Sequence, residues 1–310
     1  MSSYILRRFF TSALVILGVV TLVFFVVRAV PGDPVASILG EEALEVDKQN
    51  LRECLRLDDS LATQYVRFWR EDILTGTLGE LCDDRGATVR DRLVEALPYT
   101  AELALAALLV ALLIAFPLGV AAALRPYSWI DNGAAVLALA GVAIPNFWLG
   151  PMLLILFSVT LSILPNPGAG VVGLSALVLP ALTLGSGMSA KLTRMLRSSM
   201  LEVLGQDYIR TARAKGVRES VVVWKHALRN ALTPVVTVLG LQFGALLTGA
   251  IIVEKVFARA GVGTLLLDGI EQRSYAIVQG CVLFIAFTYV TVNLITDLVY
   301  GWLDPRVRYD

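Results

Sequence analysis

The chain has 310 residues, of which 56% are hydrophobic and only 17% are charged, and its formal net charge is zero. A soluble domain carries about 25% charged residues, so this composition excludes an ordinary soluble protein. With a mean hydropathy of +0.72, it predicts a membrane protein. The zero net charge also excludes the global basic surface that binding of nucleic acid requires.

Uncharged apolar stretches recur along the chain, and a helix needs about 20 such residues to cross about 30 Å of hydrocarbon. No charged residue occurs from Asn132 to Ala190, a stretch too long for one span, and the proline- and glycine-rich segment Ser162–Ser175 divides it. The sequence therefore predicts an all-α membrane protein with six transmembrane helices. They are expected near Phe9–Val27, Leu103–Leu124, Gly133–Leu161, Ala176–Leu196, Asn230–Val253 and Ser274–Val299.

Lysine and arginine residues in short loops predict the orientation of these helices, because cytoplasmic loops are enriched in both. Residues 191–229 carry nine basic side chains against three acidic ones. Five further basic residues next to the predicted spans fall on the same side. They are Arg7, Arg8, Arg125, Arg306 and Arg308. Both termini are therefore predicted to be cytoplasmic.

This topology divides the chain into three regions. Residues 1–30 hold the amino terminus and the first span, and residues 31–98 form a sizeable extracytoplasmic insertion. Residues 99–310 hold the other five spans and a cytoplasmic loop at about 191–229. The apolar and aromatic residues of the insertion predict one amphipathic helix from about Val46 to Leu74.

Two cysteines, Cys54 and Cys82, lie in the extracytoplasmic insertion. An exported compartment permits a disulfide between them. Spacing does not establish their geometry, so two free or differently partnered thiols remain the alternative.

Most catalytic and cofactor motifs are absent from the sequence. It contains no G-x-x-x-x-G-K-[ST] phosphate loop, no H-E-x-x-H, no G-x-S-x-G and no C-x-x-C. His226 is the single histidine, which excludes a multi-histidine metal or haem site within this chain. The expectation is therefore no catalytic residue, no metal site and no cofactor bound by the chain itself.

The cytoplasmic loop contains a charged, bent helical segment. Gly205 and Gln206 predict a turn, and Asp207 is expected to cap the helix that follows. That helix should run over Tyr208–Lys215 and end at Gly216, where glycine suits a left-handed backbone. A second helix is expected to start near Arg218 and to continue into the fifth span. A basic loop that merely obeys the orientation rule is the alternative.

The residues of this loop resemble those of a known family. Gly216 ends the stretch "DYIRTARAKG", and "HALRNALTPVVT" follows it. Together they are similar to the coupling loop of permease subunits in bacterial ABC importers, in the dipeptide, oligopeptide and nickel branch. Further matching motifs follow the same order along the chain. They are "RRFF", "VPGDP", "LPYTAELALAALLVALLIAFPLGV", "IPNFWLG", "EKVFARAGVG", "YAIVQGCVLF" and "LDPRVRY".

The resemblance implies a multi-pass protein of the bacterial inner membrane that works in a complex. A second, similar permease, two ATP-binding subunits that carry ATP and Mg, and an extracytoplasmic substrate-binding protein would be its partners. The helix near Tyr208–Lys215 would dock into an ATPase groove, with Ala212 and Tyr208 against the partner. The coupling residues implied are Asp207, Tyr208, Arg210, Ala212, Arg213, Ala214, Lys215 and Gly216.

The sequence does not decide which substrate is transported or which residues line the translocation path. Peptides are the expected cargo, and nickel complexes or haem are the alternatives within the same importer class. An ion-coupled carrier or a channel is the alternative from a different class, and it would need polar residues along a path in this chain. Candidate path residues are Asn146, Gln242, Gly244 and Thr248.

Overall fold

The computed structural model describes residues 2–30, 32–40, 42–82, 86–167 and 173–303. Within those ranges every regular element is helical, apart from an isolated antiparallel bridge between Glu80 and Thr88. The helical architecture predicted from the sequence is thereby confirmed. Arg306 and Arg308, used above to orient the chain, lie outside the described residues.

The helices follow one another closely along the described part of the chain. The α-helices are α1 Ser2–Ala29, α2 Pro34–Leu39, α3 Glu45–Leu55, α4 Leu61–Arg67, α5 Val89–Leu124, α6 Trp129–Ala143, α7 Asn146–Leu154, α8 Leu174–Leu204, α9 Asp207–Ala214, α10 Glu219–Val221, α11 Leu228–Val256, α12 Val262–Glu271 and α13 Tyr275–Leu303. Three π-helical turns extend α4, α7 and α10, namely Phe68–Ile73, Ile155–Thr160 and Val222–Ala227.

The chain divides into two compact units. The first unit comprises Met1–Ala101 and Ala258–Val290, and the second comprises Glu102–Phe257 and Thr291–Asp310. Two of the three divisions fall inside long helices, α5 and α13, and the third follows the end of α11.

In the first unit, the amphipathic helix predicted from Val46 to Leu74 is wrong, because the chain breaks between α3 and α4. Arg56 adopts a left-handed backbone with φ of 55° and ends α3. The Ser60 hydroxyl then accepts the Thr63 N–H at 3.2 Å and starts α4. Short polar side chains such as those after Arg56 favour caps and turns over helix interiors, so periodicity alone overestimated the length of this helix.

Aromatic packing holds α4 and its π-helical extension against α1. Val20 and Phe24 of α1 form a buried cluster with Phe68. The ring centroids of Phe24 and Phe68 are 5.4 Å apart. The Tyr65 hydroxyl lies 2.8 Å from the Thr21 hydroxyl, which satisfies both polar groups beside the cluster.

The core of the second unit is built from small residues that let helices approach closely. Ala107, Ala111 and Ala115 repeat every four residues along α5 and are fully buried, so they form one face of that helix. A Cβ atom on Gly185 of α8 would lie 2.6 Å from the carbonyl oxygen of Ala107. Glycine is therefore required at position 185 by the contact between α5 and α8.

Several helices are long and apolar enough to cross a membrane. Among the described residues these are Arg8–Ala29, Val89–Leu124 and Tyr275–Thr296, and a fourth candidate is the bent pair Trp129–Ala143 and Asn146–Thr160. The predicted spans Ala176–Leu196 and Asn230–Val253 lie inside α8 and α11, which are not among these candidates. The chain thus has several apolar helices, and the number six stays a prediction.

The third span was predicted as one helix near Gly133–Leu161, and this is wrong. α6 ends at Ala143, α7 begins at Asn146, and the two axes differ by 105°. Ile144 has an extended backbone with ψ of 118°. The residue before a proline is disfavoured in the helical region, so Pro145 places the break.

Candidate functional site

The charged segment of the cytoplasmic loop forms a short helix followed by a sharp turn. α9 spans Asp207–Ala214, and Gly216 has φ of +74°. A Cβ atom on Gly216 would meet no other atom within 4 Å. The requirement for glycine there comes from the left-handed backbone alone.

The expected cap of this helix is wrong by one residue. Gln206 occupies the capping position, without a side-chain hydrogen bond, and Asp207 is the first helical residue. The Asp207 carboxylate instead accepts a hydrogen bond from Arg210 Nη1 at 3.3 Å. Its negative charge still lies in the first turn, where it is favourable to the helix dipole.

α9 has one buried residue, one partly buried residue and six exposed ones. Ile209 is fully buried, and Ala212, three residues later, packs against the core of the second unit. Ala212 therefore faces inward, because residues three apart share a face of a helix. Tyr208 is 44% exposed, and its hydroxyl accepts a hydrogen bond from Asn230 Nδ2 at 2.8 Å. The other exposed residues of α9 are Asp207, Arg210, Thr211, Arg213 and Ala214, and Lys215 after it is exposed as well.

An ion pair closes the turn at Gly216. Arg213 Nη2 donates to Glu219 Oε1 at 2.6 Å, and its Nε donates to Oε2 at 3.1 Å. The hydrogen bond from this guanidinium lowers the pKa of Glu219 below its usual value. α9 and α10 are thus joined by a two-point contact as well as by the chain.

The chain continues from this turn into α11 without a loop. α10 leads into the π-helical turn Val222–Ala227, and α11 begins at Leu228. Val222, Val223 and Ala227 are buried in the core of the second unit. The Ser199 hydroxyl of α8 donates to the Ala231 carbonyl oxygen of α11 at 2.9 Å. The expectation that a short cytoplasmic helix leads directly into an apolar one agrees with this arrangement.

A cavity of about 310 Å³ lies in the second unit, at the break between α6 and α7. Asn146 and Gln242, two of the four candidate path residues, both line it. Lys191 Nζ donates to Gln242 Oε1 at 3.0 Å, which links α8 to α11. Gly244 is buried in α11, and the side chain of Thr248 lies outside the described residues.

Most of the chain matches two known protein families. Residues 115–309 match the family described as "Binding-protein-dependent transport system inner membrane component", and residues 1–104 match "Binding-prot-dependent transport system membrane comp, N-term". The chain belongs to this family. The resemblance to importer permeases stated from the sequence is confirmed, and the protein is a multi-pass permease subunit of the inner membrane.

Relatives of this permease match it along its whole length. It is 38% identical to the oligopeptide transport system permease protein AppB of Bacillus subtilis, with 100% of each chain covered. It is 40% identical to the glutathione transport system permease protein GsiC of Salmonella paratyphi A, again with 100% of each chain covered. The solved structure of the MetNI methionine ABC transporter in inward-facing conformations matches 68% of the permease and 96% of that chain. With 19% identity and a TM-score of 0.55, this last match shows the fold alone.

Sequence reasoning did not single out one buried contact of the permease. Asp131 is only 3% exposed, and both of its carboxylate oxygens accept hydrogen bonds from Arg197, with Nη2 to Oδ2 at 2.7 Å. Asp131 Oδ2 also accepts the Tyr127 N–H at 2.8 Å. This pair joins the start of α6 to α8. The signal in the sequence is that Asp131 stands directly before the uncharged stretch, whereas Arg197 is one of the nine basic residues that predict the orientation.

The two cysteines of the insertion are bonded in the structure. Cys54 and Cys82 form a disulfide with an S–S distance of 2.04 Å and Cα atoms 6.0 Å apart. The bond joins the end of α3 to the segment that precedes α5. Cys281 in α13 is a buried free thiol.

Proposed function

We propose that this permease forms half of the translocation pathway of an ATP-driven importer for short peptides. It would cross the membrane six times, with both termini in the cytoplasm. Relatives that match its full length are named for oligopeptide and glutathione transport, and glutathione is itself a short peptide. Peptide is accordingly the cargo that the names of these relatives favour.

The complex we propose contains a second, similar permease, two ATP-binding subunits and an extracytoplasmic substrate-binding protein. ATP and Mg would bind to the partner subunits, because this chain carries no phosphate-binding loop in its sequence. The family description, which names binding-protein-dependent transport, supports the last of these partners.

The observation that carries the coupling role is the continuity from α9 to α11. α9 holds its inner face against the core through Ile209 and leaves Tyr208, Arg210 and Lys215 exposed. The turn at Gly216 is fixed by its backbone and by the Arg213–Glu219 pair. A displacement imposed on the exposed face would therefore pass through α10 into α11 instead of being absorbed by a flexible loop.

α11 reaches the cavity between the broken helix and α8. Gln242 of α11 lies on the cavity wall and accepts a hydrogen bond from Lys191 of α8. A rotation of α11 would break or re-form this bond and alter the polar lining. We propose that this cavity is the permease's contribution to the path, and that docking of an ATPase on α9 controls its shape.

The docking role is tested at Ala214, which is small and exposed, so a large side chain there does not disturb the permease core. We expect Ala214→Trp to reduce co-purification of the ATPase subunits about tenfold or more, because it fills the space that the partner needs. Peptide uptake should fall with it, while insertion in the membrane stays normal. Glu202→Trp, at an exposed position of α8, is the matched control. Normal assembly and uptake with Ala214→Trp would contradict the docking role and would mean that this segment is only a basic loop.

The turn is tested separately at Gly216. We expect Gly216→Val to impair docking and uptake, because a left-handed backbone costs a β-branched residue about 1–2 kcal/mol. Gly216→Asn is the matched control, since asparagine tolerates this conformation and the position is sterically open. Equal loss in both variants would mean that a side chain, and not the backbone, disturbs the site.

A further inference from the structure

One wall of the cavity between the broken helix and α8 carries a positive charge. The cavity measures about 310 Å³ and lies within the second unit. At about 30 Å³ per water molecule, this volume accommodates the end of a small organic molecule. Lys191 of α8 is the one ionisable residue among the described residues that line it. We name this space the Lys191 cavity.

The Lys191 ammonium group has no carboxylate partner among the described residues. Arg197, Arg210 and Arg213, three other cations of the second unit, all form ion pairs. Lys191 instead donates to the neutral oxygen Oε1 of Gln242 at 3.0 Å. An ammonium group has three N–H donors, so two of them are left for a ligand. An ionisable residue within an apolar helix commonly marks the route of a substrate.

The hydrogen bond from Lys191 also fixes the orientation of the Gln242 amide. An ammonium group only donates, so the amide oxygen faces Lys191 and the NH2 group is left to donate elsewhere. Gln242 is half-buried, and its Nε2 makes no hydrogen bond with the described residues. Asn146, at the start of α7, is also half-buried and has no side-chain hydrogen bond among them. The cavity therefore holds two amides that can donate to carbonyl oxygens of a ligand.

The lining as a whole favours an organic anion. No aspartate or glutamate occurs among the described residues that line the cavity. Apart from two glycines and the three polar residues named above, the lining is apolar and includes Val142, Leu184 and Met188. A charged hydrogen bond from an ammonium group to a carboxylate is roughly twice as strong as one between neutral groups. A carboxylate joined to a small apolar body with carbonyl groups fits this lining.

We propose that the Lys191 cavity binds the carboxyl-terminal end of a short peptide, with the terminal carboxylate at the Lys191 ammonium group. The amides of Gln242 and Asn146 donate to the carbonyl oxygens that precede the carboxylate. The choice of a peptide rests on the proposed function, whereas the preference for an organic anion rests on the cavity itself. Every unmodified peptide ends in a carboxylate, so Lys191 selects for a free carboxyl terminus without selecting among side chains.

The test compares two probes on the full-length permease in phosphatidylcholine nanodiscs at neutral pH. N-acetyl-alanyl-alanine carries the carboxylate, and N-acetyl-alanyl-alaninamide replaces it with a neutral amide of nearly the same shape. Saturation-transfer NMR measures both affinities, because it detects weak binding, and empty nanodiscs give the background. We expect the acid to bind about tenfold or more tightly than the amide, because only the acid forms the charged hydrogen bond. This comparison uses the unaltered chain and is therefore independent of the folding of variants.

Variants locate the site. Lys191→Gln should weaken binding of the acid about tenfold and leave binding of the amide unchanged, so that the preference disappears. Lys191→Arg keeps the charge and should keep most of the preference. Arg194→Gln is the matched control, because it removes the same charge from an exposed position of α8 outside the cavity. Circular dichroism of each variant reports that its helices are retained.

Three results would overturn the inference. They are no binding of the acid above background at about 10 mM probe, far above a functional affinity, equal binding of the acid and the amide, and equal losses with Lys191→Gln and Arg194→Gln. None of them touches the proposed docking role, whose readout is ATPase co-purification and uptake. Failure of that docking experiment, in turn, would leave the preference for the acid standing.

Discussion

The two units of this permease are stabilised by different means. In the first unit, short helices are joined by side-chain bonds, such as the Cys54–Cys82 disulfide and the ion pair between Arg52 and Asp33 at 2.8 Å. In the second unit, long helices pack through fully buried alanines and through glycines such as Gly185. Short helices are marginal by themselves, so they need such bonds. Long helices satisfy their own backbone and need only close contact.

This difference predicts different sensitivities. Bonds between side chains respond to redox state and pH, whereas close helix packing responds to side-chain volume. A change in one of these properties should therefore affect mainly the unit that depends on it.

The largest effect is expected when side-chain volume is added at a packed glycine of the second unit. Gly185→Val places a side chain where even a Cβ would lie 2.6 Å from the Ala107 carbonyl oxygen, and backbone cannot move aside as a side chain can. We expect a loss of about 3 kcal/mol or more in the free energy of unfolding, measured by titration with a denaturing detergent. Gly133→Val in α6 is the control, since a Cβ there meets nothing within 4 Å. Similar losses in both variants would contradict the packing argument.

An intermediate effect is expected from the disulfide in the first unit. Removing it with Cys54→Ala and Cys82→Ala, which are 28 residues apart, should cost about 3 kcal/mol in that unit alone. Hydrogen exchange should rise in α3 and α4 and stay unchanged in α8. Reductant should reproduce the effect in the native chain and add nothing to the double variant. Faster exchange in α8 as well would show that the units do not respond separately.

The smallest effect is expected from the Asp72 carboxyl. Its pKa of about 6 lies above the usual value, so the folded state favours the protonated form and the first unit should gain stability as the pH falls from 7 to 5. Arg28 and Arg56 oppose this shift, and Glu71 and Glu80 add to it. Asp72→Asn should therefore stabilise the unit at pH 7 by on the order of 1 kcal/mol, after allowance for solvent contact.

The measurement for Asp72 is the unfolding midpoint of the first unit between pH 5 and pH 8, without peptide. In the Asp72→Asn variant the dependence on pH should flatten, while Glu80→Gln should retain most of it. An unchanged slope in the Asp72→Asn variant would assign the dependence to another group.

Helix positions could largely be predicted from the sequence, because uncharged apolar stretches and glycine or proline signals are local. The segment ending at Gly216 was located to within one residue for this reason. The break at Pro145 was missed because the surrounding stretch is uncharged throughout, and the turn at Arg56 because its left-handed backbone has no glycine to mark it.

The buried face of a helix and the pairing of distant side chains could not be predicted in the same way. The inward direction of Ala212 depends on where Ile209 finds the core of the second unit, which is a tertiary contact. The pairing of Asp131 with Arg197 joins residues 66 positions apart, so no local pattern in the sequence marks it. Cavities are set by several helices at once, so Asn146 and Gln242 were found by residue type and not by position.

The Asp131–Arg197 pair has a consequence for the synthesis of the protein. Asp131 leaves the ribosome 66 residues before its partner, which corresponds to about 3 to 13 s at about 5–20 residues per second. During that interval Arg197 has not yet been made, so the carboxylate lacks its partner and is more stable in water. Its place in the first turn of α6, immediately before an uncharged stretch, allows this. The apolar part of α6 can enter the lipid while Asp131 stays at the membrane surface. The ion pair that joins α6 to α8 can form only after α8 has been made.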